Sequence, residues 1–157
     1  MTETLPAVGQ PAPDFNLPRD GGESVSLADL RGKAVVLYFY PKDDTPGCTI
    51  EAIDFTARAN DFAAANAVVL GLSKDSVADH EKFRDKHGLG VALLSDAEGD
   101  VAERYGVWGE KTMFGKKSMG ITRATVLIDA DGIVRRVWSP VKVENHADEV
   151  LEAVRAL

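Results

Sequence analysis

The chain carries a single cysteine, Cys48, and its surroundings are chemically suggestive. It follows the turn-rich stretch Lys42-Asp43-Asp44-Thr45-Pro46-Gly47 and opens a segment with helical periodicity. A thiol at the start of a helix meets unpaired backbone N–H groups and the positive end of the helix dipole. Both favour the thiolate, the nucleophilic form. Position alone leaves two readings open: a reactive thiolate, or a buried inert cysteine, the commoner fate of a lone thiol. Other chemistries fall away. One cysteine forms neither an internal disulfide nor a Cys-rich zinc site, and without C-x-x-C there is no dithiol reductase. Residues 109–117 have the superficial look of a phosphate loop, but Lys117 stands where Ser or Thr is required. His80 and His87 lie seven apart on one predicted helix, a poor metal site, and both are expected on its surface. A cysteine hydrolase needs a histidine beside Cys48; none is near in sequence, and a distant one stays open.

The elements that must position Cys48 follow from patterning. The continuous β-branched and aromatic run over residues 34–40 predicts a strand buried on both faces, ending at Pro41. A helix is predicted over about 48–66, with Ala52, Phe55, Ala59 and Phe62 on one face. Residues 68–72 predict a second buried strand, so strand, helix and strand form a right-handed crossover with a parallel pair. Ser76 caps a helix over about 77–87 that stops at Gly88. Leu93-Leu94 is a short strand, and 100–105 a short helix. Asp131-Gly132 marks a hairpin between strands 125–129 and 133–138, and a closing helix covers about 147–157. Upstream, the prolines make residues 9–15 an extended arm, Val25 and Leu27 alternate as in a strand, and 28–32 read as one helical turn. The fold class is α/β, a mixed central sheet flanked by helices, expected as a single domain over 1–157.

Composition is that of an ordinary globular chain, 45% hydrophobic and 27% charged. A net charge of −7 disfavours nucleic-acid and anionic-membrane roles. Residues 1–5 lack the basic and apolar regions of a signal peptide, and the longest apolar run is far short of a membrane span. A cytoplasmic location is expected.

The run Pro41-Lys42-Asp43-Asp44-Thr45-Pro46-Gly47-Cys48 resembles the peroxiredoxin active-site signature P-x-x-x-T-x-x-C. Nearly the whole chain is similar to the bacterioferritin-comigratory (PrxQ) subfamily, in order, through Ala12-Pro13-Asp14-Phe15, Leu94-Ser95-Asp96, Tyr105-Gly106-Val107-Trp108-Gly109-Glu110-Lys111 and Gly120-Ile121-Thr122-Arg123. The resemblance implies a thioredoxin-like fold of the peroxiredoxin type. It also implies a thiol-dependent peroxidase with no metal or organic cofactor, which reduces hydrogen peroxide and organic hydroperoxides through a sulfenic acid at Cys48. Thr45 and the backbone N–H of Cys48 are then expected to hydrogen-bond the peroxide. Arg123 is expected to stabilise the thiolate and the leaving oxygen. Pro41 would wall the pocket, Gly47 would border the substrate, and Glu51 would orient Arg123. Each has a plainer reading: Thr45 as a helix cap, Arg123 as a solvated strand-end residue, Pro41 as a strand terminator, Trp108 as packing.

Two positions depart from the subfamily. Many members carry a resolving cysteine five residues after the first or in the next helix; here those positions hold Ile53 and Arg84. A one-cysteine cycle is implied, in which an external thiol (thioredoxin, glutaredoxin or a low-molecular-weight thiol) reduces the sulfenic acid. On an intact helix, positions 48 and 53 lie about 8–9 Å apart, whereas a disulfide spans at most about 7 Å. A chain without a cysteine at 53 therefore need not unwind this helix in each cycle. The expected partners are a hydroperoxide and that thiol, with the protein a monomer or weak homodimer. The rival readings are a peroxide sensor or holdase whose Cys48 oxidation is a switch, and an inactive domain of the same fold.

Overall fold

The computed structural model describes residues 4–157, the side chain of Met113 excepted, so the leader reading of residues 1–5 falls partly outside the described residues. Its centre is β3 (Ala34–Phe39), every residue of which is buried. Before it stand β1 (Asn16–Pro18), β2 (Ser24–Ser26) and a 3-10 turn (Leu27–Leu30). After it come α1 (Pro46–Ala57), α2 (Ala59–Ala64), β4 (Ala67–Ser73), α3 (Val77–His87), β5 (Ala92–Ser95) and α4 (Val101–Arg104). The chain closes with β6 (Trp108–Met113), β7 (Lys116–Ile121), β8 (Ala124–Ile128), β9 (Val134–Trp138) and α5 (His146–Arg155). The main sheet has five strands in the order β5-β4-β3-β8-β9. β3, β4 and β5 run parallel; β8 and β9 are antiparallel additions, giving the mixed sheet that the pattern predicts.

Alternation along β3 divides the core in two. Val35, Leu37 and Phe39 pack on one face with Leu70, Val126 and Tyr105. Val36, Tyr38 and Tyr40 pack on the other with Phe55, Phe62, Phe83, Val150 and Cys48. The Tyr38 ring stacks on Phe55 with centroids 4.8 Å apart. Its partner across the parallel pair is Gly71, where a Cβ would stand 2.7 Å from the ring. No side chain larger than hydrogen fits there without displacing the Tyr38 ring.

Two expectations are corrected. The helix predicted over 48–66 begins earlier, with Pro46 in its first turn, where the missing N–H costs nothing. It is also broken at Arg58, whose backbone leaves the helical basin (φ −107°, ψ 10°) while its guanidinium bonds back to the Asp54 carbonyl and across to Asp148. Residues 109–117, considered above only as a false phosphate loop, lie in the β6–β7 hairpin. Its turn is Phe114-Gly115, both with positive φ (52° and 78°), as two-residue hairpin turns require. Phenylalanine is an unusual residue at such a position, which is why turn chemistry did not reveal it.

Candidate active site

Topology brings the site together. β3 delivers the chain into the loop before α1, and β8 runs antiparallel to β3 with Ala124 opposite Phe39. Arg123, one residue before β8, therefore stands at the end of the sheet where α1 begins. Within α1, Cys48 and Glu51 are three apart and share the inward face with Ala52 and Phe55; all four are buried. Cys48 is 1% exposed.

Arg123 joins the two helix residues. Its Nη2 donates to Sγ of Cys48 at 3.2 Å and its Nη1 to Oε1 of Glu51 at 2.7 Å. The guanidinium fork is thus held by a buried carboxylate and aimed at the sulfur, a geometry that lysine cannot reproduce. Gly47 makes the approach possible: a Cβ there would lie 3.1 Å from Nη2. Gly47→Ala is expected to displace the fork by a few tenths of an ångström and slow the reaction with peroxide several-fold, with little change in Tm. Stopped-flow rates beside a melting curve check this, and an unchanged rate would show that the close approach is dispensable.

Thr45 is the residue before α1, yet its hydroxyl caps nothing. Oγ1 donates to the carbonyl of Lys42 at 2.8 Å, while the Thr45 carbonyl accepts from the backbone N–H and the hydroxyl of Thr49. With its proton committed to Lys42, Oγ1 is left able to accept a hydrogen bond. Pro41 is exposed at the bend that follows β3.

Comparison with known proteins places this geometry. The AhpC/TSA family pattern matches residues 8–137. The chain belongs to the AhpC/TSA family of peroxiredoxins. The putative peroxiredoxin bcp of Coxiella burnetii is 54% identical over 144 residues, covering 92% of this chain and 95% of that protein. Peroxiredoxin Bcp of Bacillus subtilis is 49% identical over 148 residues, covering 94% of each. Among solved structures, the PrxQ of Xylella fastidiosa, as a cysteine-to-serine variant, superposes with a TM-score of 0.91 at 36% identity and 96% coverage of both chains. The Xanthomonas campestris bacterioferritin comigratory protein, for which alkyl peroxide reduction is described, superposes at 0.86 with 42% identity and 90% coverage of both. The fold is thioredoxin-like, and the enzyme is a thiol-dependent peroxidase.

The electrostatics of the peroxiredoxin site centre on Glu51. Burial pushes its carboxyl up to about 7, against the opposing pull of Arg123, and Oε2 has no partner among the described residues. The hydroxyl of Tyr38 is likewise buried and, among the described residues, without a partner; burial, with Glu51 and Cys48 nearby, holds it neutral far above the ordinary phenol value. Trp108 packs, half-buried, against the core, with Lys74 over its ring.

One sequence expectation fails at the site's border. His80 is not a surface residue of α3; it is fully buried and hydrogen-bonded to Asp43 and to the Leu94 carbonyl. His87 is half-buried and bonded to Asp44. A signal was present: α3 buries only His80 and Phe83, three apart, and a helix so poor in apolar residues must turn whatever shares the phenylalanine's side toward the sheet. Asp43, Asp75 and His80 crowd their polar atoms within 4.8 Å of one another, but those atoms are engaged in hydrogen bonds among themselves and with Tyr40 and Ser73. Among the described residues, no helix is long and apolar enough to cross a membrane.

Proposed function

We propose that this peroxiredoxin, working as one domain, reduces hydrogen peroxide and organic hydroperoxides by a one-cysteine cycle at Cys48. The observation that carries the reading is that the chain's only sulfur of this kind is the one Arg123 touches. The thiolate attacks one peroxide oxygen. An S–O bond forms, the O–O bond breaks, and the other oxygen leaves as alkoxide or hydroxide and takes up a proton. Arg123 offsets the charge that moves from sulfur to the leaving oxygen. The backbone N–H of Cys48 donates a hydrogen bond to the peroxide, Thr45 Oγ1 accepts a hydrogen bond from the peroxide O–H without taking the proton, and Gly47, Glu51 and Pro41 shape the surroundings.

Regeneration falls to an external thiol: thioredoxin, glutaredoxin or a small thiol. Its sulfur attacks the sulfenic acid, releasing water and leaving a mixed disulfide that a second thiol reduces. Neither alternative resolving position offers a thiol: Ile53 is exposed on the outer side of α1, and Arg84 pairs with Asp20 and Asp85. The near-complete burial of Cys48 adds a demand that the sequence does not disclose. A thiol bulkier than peroxide reaches Sγ only when neighbouring residues move aside, a demand of regeneration and not of oxidation, and the start of α1 is expected to stay folded when Cys48 is oxidised.

The test is turnover of hydrogen peroxide and an organic hydroperoxide with dithiothreitol, with thioredoxin, glutaredoxin and glutathione as parallel arms. Peroxide without any reductant is expected to drive Cys48 on to sulfinic and sulfonic acid, read by mass spectrometry. A product that stops at one added oxygen, or accumulates as a disulfide between two subunits, would overturn this over-oxidation expectation.

A further inference from the structure

The loop that presents Thr45 and Cys48 is fastened at one point to three other parts of the fold. Asp43 lies within it. One Asp43 carboxylate oxygen accepts from the Tyr40 hydroxyl at 2.6 Å, at the end of β3, and the other faces Nδ1 of His80 on α3 at 2.6 Å. The backbone N–H of Asp43 donates to Asp75, which also receives the Ser73 hydroxyl at the end of β4. His80 in turn reaches the Leu94 carbonyl of β5 through Nε2 at 2.9 Å. His80 is 0% exposed, so water satisfies neither nitrogen.

Both ring nitrogens thus face acceptors, a carboxylate and a carbonyl. A neutral imidazole donates from only one of them and would leave a lone pair against an oxygen on the other side. An imidazolium donates from both and supplies the buried countercharge that Asp43 needs. We propose that His80 is a positioning residue of this peroxidase, held as an imidazolium between Asp43 and the Leu94 carbonyl, which fixes the loop carrying Thr45 and the start of α1 for reaction with peroxide. The inference rests on Cys48 being the reacting thiol, as proposed above.

The charged surroundings agree. Asp43 and Asp75 face the ring from the two loops, the Tyr40 hydroxyl stands 3.5 Å from Nδ1, and Lys42, Lys82 and Lys86 line the adjoining depression with Asp44 and Asp79. Burial alone would push the imidazole down, but the Asp43 and Leu94 bonds and the charge of Asp75 outweigh it, and the net direction is upward. A histidine raised in the folded state contributes stability that is full below its unfolded value and lost as pH rises through the folded one. The loop therefore loosens on the alkaline side.

Nitrogen-15 NMR of the full chain reads the ring directly. At pH 7, His80 is expected to show two protonated nitrogens, and Asp43→Asn to lower its midpoint. A wild-type ring with one protonated nitrogen, the proton lying on Asp43 instead, would overturn the proposal. Stopped-flow reaction of the reduced enzyme with hydrogen peroxide supplies the second arm. The wild-type rate is expected to fall at high pH with the midpoint that NMR gives for His80. His80→Gln, which keeps one donor, is expected to be slower by about tenfold at pH 7 through misplacement of the loop and to lack that alkaline fall. An unchanged alkaline limb in His80→Gln or Asp43→Asn would sink the proposal. Failure of Cys48 as the reacting thiol would show separately, as turnover persisting in Cys48→Ser, and leaves the NMR arm unaffected.

Discussion

Cys48→Ser is expected to reduce peroxide consumption with dithiothreitol to the uncatalysed background, with the fold intact. A serine hydroxyl is not appreciably ionised near neutrality, and an alkoxide would have to be generated by a base that the site lacks. The nearest carboxylate, Glu51, is committed to Arg123 through Oε1. Nothing else in the described site carries two-electron redox chemistry: Thr45, Glu51, Tyr38 and Arg123 donate, accept or hold charge. The substitution is also gentle. Oγ is smaller than Sγ in a position that is 1% exposed, so the Arg123–Glu51 pair and the packing on Ala52 and Phe55 should survive. A melting curve separates lost chemistry from lost structure. Wild-type turnover in a folded Cys48→Ser protein would mean that the chemistry lies elsewhere.

The central strands and their order in the chain were legible because β3 is a continuous run of aliphatic and aromatic residues and β4 is mainly aliphatic, and Ser76 and Gly88 bracket α3 as a cap and a stop should. Cys48 was legible as a thiol at a helix start. Its partners were not legible from periodicity. Arg123 lies 75 residues away, and only the antiparallel placement of β8 beside β3 brings it to the sulfur; in the sequence its role came from resemblance alone. The setting of His80 was hidden for a related reason. Its environment is built from Asp43, 37 residues earlier, and a backbone carbonyl of β5, 14 residues later. The spacing from Phe83 signals only that the ring turns inward; nothing local to α3 discloses the two acceptors that meet it. The β6–β7 hairpin was missed through its Phe-Gly turn, and the break at Arg58 because the apolar stripe continues through it to Phe62.

Arg123→Ala is expected to slow the reaction of Cys48 with peroxide by about 10²–10³-fold, the loss that follows removal of one pre-aimed donor to developing charge. Arg123→Lys should fall between the variant and wild type, since an ammonium keeps the charge but cannot address Sγ and Glu51 together. Glu51 supplies a readout that a merely structural arginine would not move. Its carboxyl stands at about 7 with Arg123 beside it, and burial is the larger influence. Between the ordinary glutamate value and that figure the folded protein holds the proton more tightly than the unfolded chain, so stability falls as pH rises through the window. Without Arg123 the opposing pull disappears, Glu51 rises further, and the decline should extend to higher pH. Glu51→Gln, which cannot ionise, should abolish the decline while still accepting one hydrogen bond from Arg123, and should slow peroxide reduction less than Arg123→Ala does. Urea melts across pH, beside stopped-flow rates, decide the matter. Equal rates in wild type and Arg123→Ala would remove the guanidinium from the mechanism, and an unchanged pH dependence of stability in that variant would show that the pair with Glu51 does not operate as the 2.7 Å contact indicates.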